Sequence, residues 1–442
     1  MYVEEKIPVD IKKFIPLILI INIGMIVSLS MNYILTFAIG MGICLVILLC
    51  AIPELSFALF INAYYVILYW GETINQGHAA VLSLRVICLI SLILYVLWNQ
   101  VDFSFIRNPI YLSSILLGFL LFWGVLKTAS PEYGLQKSIN YVLTNIFLLT
   151  GLSILSQNPK RLKKLLIYLI AIGLFLTVSG LVKAFIIGTG KSIRLTVYDI
   201  SSIWFSRILG FSFILLLSFI NIKSRLFRSF IFAILFLFLV NMVFAGSRGP
   251  LVALFITLFL YFMIFSKISL SKKLLFISLI LLFIAIAFLV TPERYTERYF
   301  DLGKAKDITS IMRKIMIRNI IPVFKKNFLL GIGTGGFSKI VTGGDIRVYP
   351  HNIFGELGLE NGLIGIFTFT FFLIYNLIYS IHIISSKKVP SKIKNLIITS
   401  VLIISFSLLN AMVSGDVPVN EQIWIGSGII LGLYTIQRKQ YQ

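Results

Sequence analysis

Residues 228–266 read RSFIFAILFLFLVNMVFAGSRGPLVALFITLFLYFMIFS, two apolar runs interrupted only by the tight turn Gly246-Ser247-Arg248-Gly249-Pro250. Each run approaches the roughly 20 residues a helix needs to cross the hydrocarbon core. Both are continuously apolar, whereas the strands of a membrane barrel alternate apolar and polar residues. The same pattern recurs on either side. Apolar runs stand near 13–31, 33–51, 54–70, 80–98, 108–126, 139–157, 163–183, 202–221, 228–246, 250–266, 273–290, 353–383, 394–412 and 423–436. The expected fold is therefore an all-α polytopic membrane protein with about twelve to fourteen transmembrane helices. Composition agrees. The 442 residues are 58% hydrophobic and 13% charged, where a soluble domain is about half apolar and about a quarter charged. A soluble enzyme, a disordered chain and a secreted disulfide scaffold are excluded. Cys44, Cys50 and Cys88 all lie inside apolar runs and read as packing residues. The N-terminal MYVEEKIPVDIKK lacks a small-residue cleavage site, so the run after it is expected to be a retained first span.

The net charge is +22. In a soluble chain that would suggest nucleic acid. Here the cations sit in short loops: Lys160, Arg161, Lys163 and Lys164; Lys223, Arg225 and Arg228; Lys267, Lys272 and Lys273; Lys387, Lys388, Lys392 and Lys394; and terminal Arg438 and Lys439. Every second loop is basic, which is the positive-inside pattern. It assigns both termini to the cytoplasm and leaves no role for a nucleic-acid partner. Transmembrane helices then fill 1–290 and 352–442, with one long extracytoplasmic loop, 291–351, between them in a single integral domain.

That loop holds eleven Lys/Arg and five Asp/Glu. Loops of such length are usually functional or disordered. Within it, SIMRKIMIRNIIPVFKK (310–326) places Ile311, Met312, Ile315, Met316 and Ile320 among Arg313, Lys314 and Arg318 at near-helical spacing. The reading is an amphipathic basic helix along the membrane surface. Gly331-Ile-Gly-Thr-Gly-Gly336 fits G-x-G-x-x-G, but it lacks the βαβ setting of a dinucleotide site. It is expected to be a flexible turn closing the amphipathic helix. The sequence has no Asp-x-Asp, no Walker loop and no His-Glu-x-x-His, and only three histidines. Neither cofactor nor metal is expected. His78, in a short outer loop, and His382, near the cytoplasmic end of a span, read as structural.

The polar residues expected at the outer boundary are more informative. Arg194 lies in KSIRLTVYD, Arg207 a few residues into the span IWFSRILGF, and Arg248 in the tight turn. Arg313 and Arg318 are on the amphipathic segment, and His351-Asn352 directly precede a span. Charges in or beside a bilayer are costly and are functional candidates. Guanidinium groups converging on one surface suit a diphosphate. A histidine beside them suits proton transfer near neutral pH.

At these residues the chain resembles the O-antigen ligase and O-antigen polymerase superfamily. Ser247-Arg248-Gly249 opens an apolar run. Arg313 stands eighteen residues before the Gly-Ile-Gly that begins at Gly331. His351-Asn352 is followed by Glu360, Gly362 and Gly365 in HNIFGELGLENGLIG. Ile317 replaces an aromatic residue frequent in the family, and Phe328 stands near a usual proline, which bears on the loop's fine geometry. The resemblance implies a metal-independent glycosyltransferase of the bacterial cytoplasmic (inner) membrane, active on the outer face. Its donor would be a saccharide on undecaprenyl diphosphate, and its acceptor a glycan or glycolipid. Membrane lipids and other polysaccharide-assembly proteins would be its further partners. As an O-antigen or capsule-type polymerase it would extend a lipid-linked repeat unit; as a ligase it would pass the finished chain to lipid A core. His351, Arg313 and Arg248 would be catalytic. Arg248, Arg313, Arg207, Arg194 and Arg318 would hold the diphosphate. Asn352 and Glu360 would support them, Glu360 by pairing with an arginine or by orienting a neighbour. A lipid-linked oligosaccharide flippase is the alternative of a different class. It predicts charges in mid-span and internal repeats, neither of which is evident in this sequence.

Overall fold

The computed structural model describes residues 34–72, 77–187, 195–197, 200–220, 224–265, 269–291, 318 and 320–441. The first expected span (13–31), Arg194, Arg313 and most of the amphipathic segment lie outside the described residues, as does the side chain of His78.

The apolar runs are helices, and no strand occurs among the described residues. In chain order they are α1 Ile34–Ala51, α2 Pro53–Glu72, α3 Gly77–Trp98, α4 Pro109–Val125, α5 Pro131–Asn140, α6 Phe147–Leu155, α7 Pro159–Val182, α8 Ser202–Leu217, α9 Arg225–Phe244, α10 Arg248–Leu260, α11 Leu270–Val290, α12 Phe337–Thr342, α13 Ile353–Ser385, α14 Ser391–Ala411 and α15 Gln422–Tyr441. Five stretches are long and apolar enough to cross a membrane: Pro131–Leu155, Pro159–Phe185, Arg225–Phe244, Ile353–Ser385 and Ser391–Ala411. The pair Gly42–Ala51 and Pro53–Asn62, bent by 109°, adds a sixth if it is one broken span. Shorter apolar helices include Leu82–Trp98, Pro109–Val125, Ser202–Leu217 and Arg248–Ile264. The chain is an all-α polytopic membrane protein. One boundary differs from the sequence reading. The run expected at 139–157 begins at Pro131, and a one-turn π-bulge at Tyr141–Ile146 joins α5 to α6. The low hydropathy of PEYGLQKSIN hid this helix, whose Lys137 is buried.

The chain forms two compact units. One comprises residues 1–102, 160–172 and 198–200; the other comprises 103–159, 173–197 and 201–442. In the first, α2 packs on α3. Arg161 donates to Glu54 Oε1 at 2.9 Å and lies 4.9 Å from the Tyr95 ring centre, so this buried charge is paired. The three cysteines form no disulfide.

In the second unit α13 packs on α4, α15 on α6 and α14, and α14 on α8 and α10. Helices in lipid associate through close packing of small residues. Gly428 and Gly432 supply such a surface on α15: a Cβ on them would stand 2.8 Å from Leu149 O and 2.6 Å from Ser153 O of α6. The turn between α14 and α15, residues 412–421, therefore sits beside the starts of α5, α10 and α13.

Candidate functional site

Helix α13 carries Glu356 and Glu360 four residues apart, hence on one face. Both are fully buried, and both contact the ammonium of Lys137 on α5, Glu360 Oε2 at 2.5 Å. Two carboxylates share one cation away from water. Isolated buried charges are costly, so the lysine and the glutamates hold one another in place. Glu360 thus pairs with a lysine, not with the arginine its position suggested. Glu356 Oε1 also accepts from the Val417 backbone N–H at 3.2 Å, which ties the triad to the turn between α14 and α15.

The backbone around Glu360 is unusual. Gly362 has φ 66° and ψ −158° inside α13, which breaks the helical ladder. In an unbroken helix Leu363 N–H would bond to Leu359 O. Here Leu363 N–H donates to Phe328 O (2.7 Å), while Leu359 O and Glu360 O accept from Ile332 and Gly333 N–H at 2.8 and 2.9 Å. The Gly-rich segment fills the break. Gly331 and Gly333 have φ of 66° and 94°, and a Cβ on Gly331 would lie 2.4 Å from the Glu360 carbonyl carbon. Thr334 Oγ1 donates to Leu121 O at 2.7 Å, and Lys127 Nζ donates to Leu330 O. Burial lowers the Lys127 pKa from its ordinary value. The expected flexible turn is therefore a wedge bonded into α13 and α4. Its glycines are required because other backbone occupies the space of any side chain.

Asn352 caps α13. Its Oδ1 accepts from Gly355 N–H at 2.9 Å, and its Nδ2 donates to Met412 O at 3.2 Å. His351 has φ 60° and is the non-glycine residue with positive φ among those described. That conformation is strained for a side-chain-bearing residue, and such strain is concentrated at functional sites. Its ring lies edge-on to Tyr349, with centroids 4.6 Å apart. The preceding loop is pinned twice. The Asp345 carboxylate accepts from the Glu132 and Tyr133 N–H groups at the start of α5, at 2.9 and 3.0 Å. Arg347 donates through Nε and Nη2 to the two oxygens of Asp416, both at 3.2 Å. Tyr133 OH also donates to Asp416, at 3.0 Å. Burial and the Asp416 carboxylate raise the Tyr349 pKa above the usual phenol range.

Arg207 and the corner that carries Arg248 meet the same turn. Arg207, 2% exposed, donates to Asn410 O, Ser414 O and Asn420 Oδ1 at 2.8–3.0 Å and stacks on Trp204. Arg248 is the first residue of α10 and is half-buried, and a Cβ on adjacent Gly249 would stand 3.3 Å from Val413. Gly249 and Asn352, next to Arg248 and His351, thus abut successive residues, Val413 and Met412, of one turn. Arg318 is exposed.

Residues 410–420 are thus a hub. They gather Arg207, the start of α10, the His351-Asn352 corner, Glu356, Tyr133 and Arg347 from sequence positions nearly 300 apart. Lys137, Tyr133, Arg347, Glu356 and Asp416 were missed from sequence. The four-residue spacing of Glu356 and Glu360 and the acidic Asp416 in the polar turn between two apolar runs were the legible signals. The hub holds the guanidinium groups of Arg207 and Arg347 and borders the corners that carry Arg248 and His351; guanidinium and imidazole groups are chemically suited to an anionic group beside a reacting hydroxyl.

Residues 233–370 match the family model described as O-antigen ligase. No curated protein matches the chain. The matched segment contains Arg248, the glycine wedge, Arg347, the His351-Asn352 corner and both buried glutamates, while Lys137, Arg207 and Asp416 lie outside it. Over that segment the chain is similar to the O-antigen ligase family, whose members are glycosyltransferase-like ligases and polymerases.

Proposed function

We propose that the protein is a surface-polysaccharide polymerase. It transfers a glycan from undecaprenyl diphosphate to a sugar hydroxyl of a second lipid-linked unit, at the outer face of the cytoplasmic membrane. The observation that carries this reading is the convergence of Arg207, the Arg248 corner and the His351 corner on the turn 410–420. The acceptor oxygen attacks the anomeric carbon and its proton passes to His351. The bond from that carbon to the diphosphate oxygen breaks, and the lipid diphosphate leaves with both electrons. Direct displacement inverts the anomeric centre. Arg248 and Arg313 neutralise the charge that builds on the leaving group, with Arg194 and Arg318 as outer contacts. Arg207, held by two backbone carbonyls, fixes the turn on which the acceptor side is built. Guanidinium charge is permanent, so this route needs no metal.

The test is gene deletion followed by electrophoresis of surface polysaccharide and analysis of undecaprenyl-linked saccharide. Single repeat units without long chains support polymerisation. Long chains stranded on undecaprenyl diphosphate, with a bare acceptor, would overturn it in favour of the ligase. Repeat units trapped on the cytoplasmic face would restore the flippase. In the complemented strain, Arg248→Ala and Arg313→Ala should each cost about 10²–10³ in rate, the usual loss for one fixed donor to developing charge. Membrane insertion should be unchanged.

A further inference from the structure

At the other ends of α13 and α15, far along both helices from the 410–420 turn, lies a cavity of about 220 Å³. It is lined by His382, Ser386, Val389, Tyr434, Gln437 and Arg438, together with Ile383. Sequence reading left His382 as structural, and Arg438 as a loop cation. Arg438 and Lys439 stand in the last turn of α15 and His382 in that of α13, where cations complement the negative helix end. That accounts for their charge but not for the cavity or for Gln437. Gln437 is 6% exposed, and no donor among the described residues reaches its buried Oε1. A buried carbonyl oxygen needs a donor.

The lining has a definite chemistry. Arg438 offers a fixed cation, and Ser386 and Tyr434 offer hydroxyls, so an anionic oxygen group is accommodated. Gln437 Oε1 asks for a hydroxyl on the same ligand. Val389 leads directly into the start of α14, whose first N–H groups carry positive partial charge. Lys387, Lys388, Lys392 and Lys394 surround this end. Basic pockets between membrane helices suit anionic lipid headgroups. We propose that this cavity is a headgroup site for an anionic phosphodiester lipid bearing a hydroxyl, of the phosphatidylglycerol class. The phosphate sits at Arg438 and a glycerol hydroxyl donates to Gln437.

The test uses the full-length protein in a neutral detergent, titrated with short-chain phosphatidylglycerol, phosphatidylmethanol, phosphatidylcholine or inorganic phosphate. The readouts are the thermal midpoint and lipid retained in native mass spectrometry. Phosphatidylglycerol is expected to raise the midpoint and to be retained, with phosphatidylmethanol weaker because it lacks the hydroxyl. Arg438→Gln should keep the wild-type midpoint in phosphatidylcholine while losing at least about fivefold in phosphatidylglycerol affinity, the worth of one interfacial arginine. Gln437→Leu should reduce phosphatidylglycerol binding to the phosphatidylmethanol level. Lys387→Gln/Lys388→Gln, which line no part of the cavity, should cost clearly less phosphatidylglycerol affinity than Arg438→Gln. The proposal is overturned if phosphatidylglycerol acts no differently from phosphatidylcholine, or if inorganic phosphate reproduces its effect. It also fails if the lysine pair matters as much as Arg438, since generic surface charge would then explain the binding.

Discussion

Replacing Lys137 by methionine tests the buried triad most directly. The lysine side chain and both glutamates are 0% exposed, and its ammonium is the cation in contact with both carboxylates. Beyond Lys137, Glu356 is supported by the Val417 N–H and Glu360 by the Gly335 backbone, while Glu356 Oε2 and Glu360 Oε1 have no hydrogen-bond partner among the described residues. Removing one member of a buried ion pair costs about 3–5 kcal/mol, because the partner is left charged in a medium that cannot solvate it. Methionine preserves volume, so packing contributes little. The expected result is a loss of that size, read as a lower thermal midpoint in size-exclusion chromatography after heating. The decisive comparison is Lys137→Met/Glu356→Gln/Glu360→Gln. Neutral amides remove the uncompensated charge while leaving Glu356's acceptor position for Val417, so most of the loss should return. If Lys137→Met is as harmful in the double-glutamine background as in the wild type, the charge argument is wrong and Lys137 acts through packing.

Three further outcomes follow from the geometry. Gly331→Ala forces a Cβ to 2.4 Å from the Glu360 carbonyl carbon at φ +66°, so the yield of folded protein should collapse. Gly344→Ala, whose nearest atom is 3.7 Å away, should be neutral in the same chromatographic assay. His351→Gly relieves a left-handed conformation worth about 1–2 kcal/mol, so the thermal midpoint should hold or rise while transfer falls roughly 10²–10⁴-fold. A fall in both would show that the imidazole is mainly structural. Asp416→Asn weakens the grip on Arg347 and Tyr133; transfer should drop about tenfold with folding retained, and Asp416→Glu should restore part of it. Unchanged kcat and KM would remove the Asp416–Arg347 pair from the positioning of His351.

Much of the fold was written in hydropathy. Continuous apolar runs near the length of a membrane crossing leave helices as the outcome, because only a helix satisfies its own backbone within lipid. The runs around Arg248 and after Asn352 stand where the sequence put them, as α9, α10 and α13. The exception is instructive. PEYGLQKSIN is too polar to read as a span, yet it begins one, since Lys137 is neutralised by two glutamates more than 200 residues away. A one-dimensional scale charges a lysine its full desolvation cost and cannot credit a distant partner.

The site divides in the same way. By itself, the sequence determined the membrane class and the basic loops. It also singled out Arg207, Arg248, His351, Asn352 and Glu360, because charge and polarity at a membrane boundary are legible one residue at a time. Only tertiary structure decided what they touch. It turned Gly331–Gly336 from a loop into a wedge inside a broken helix, gave Glu360 a lysine partner, and made the unremarked turn 410–420 the point where Arg207, Arg347 and the corners carrying Arg248 and His351 meet. The physical reason is that composition and periodicity report how a residue interacts with solvent. The pairing of buried charges and carbonyls depends on which distant segment fills the remaining space, and that is fixed only when the helices pack.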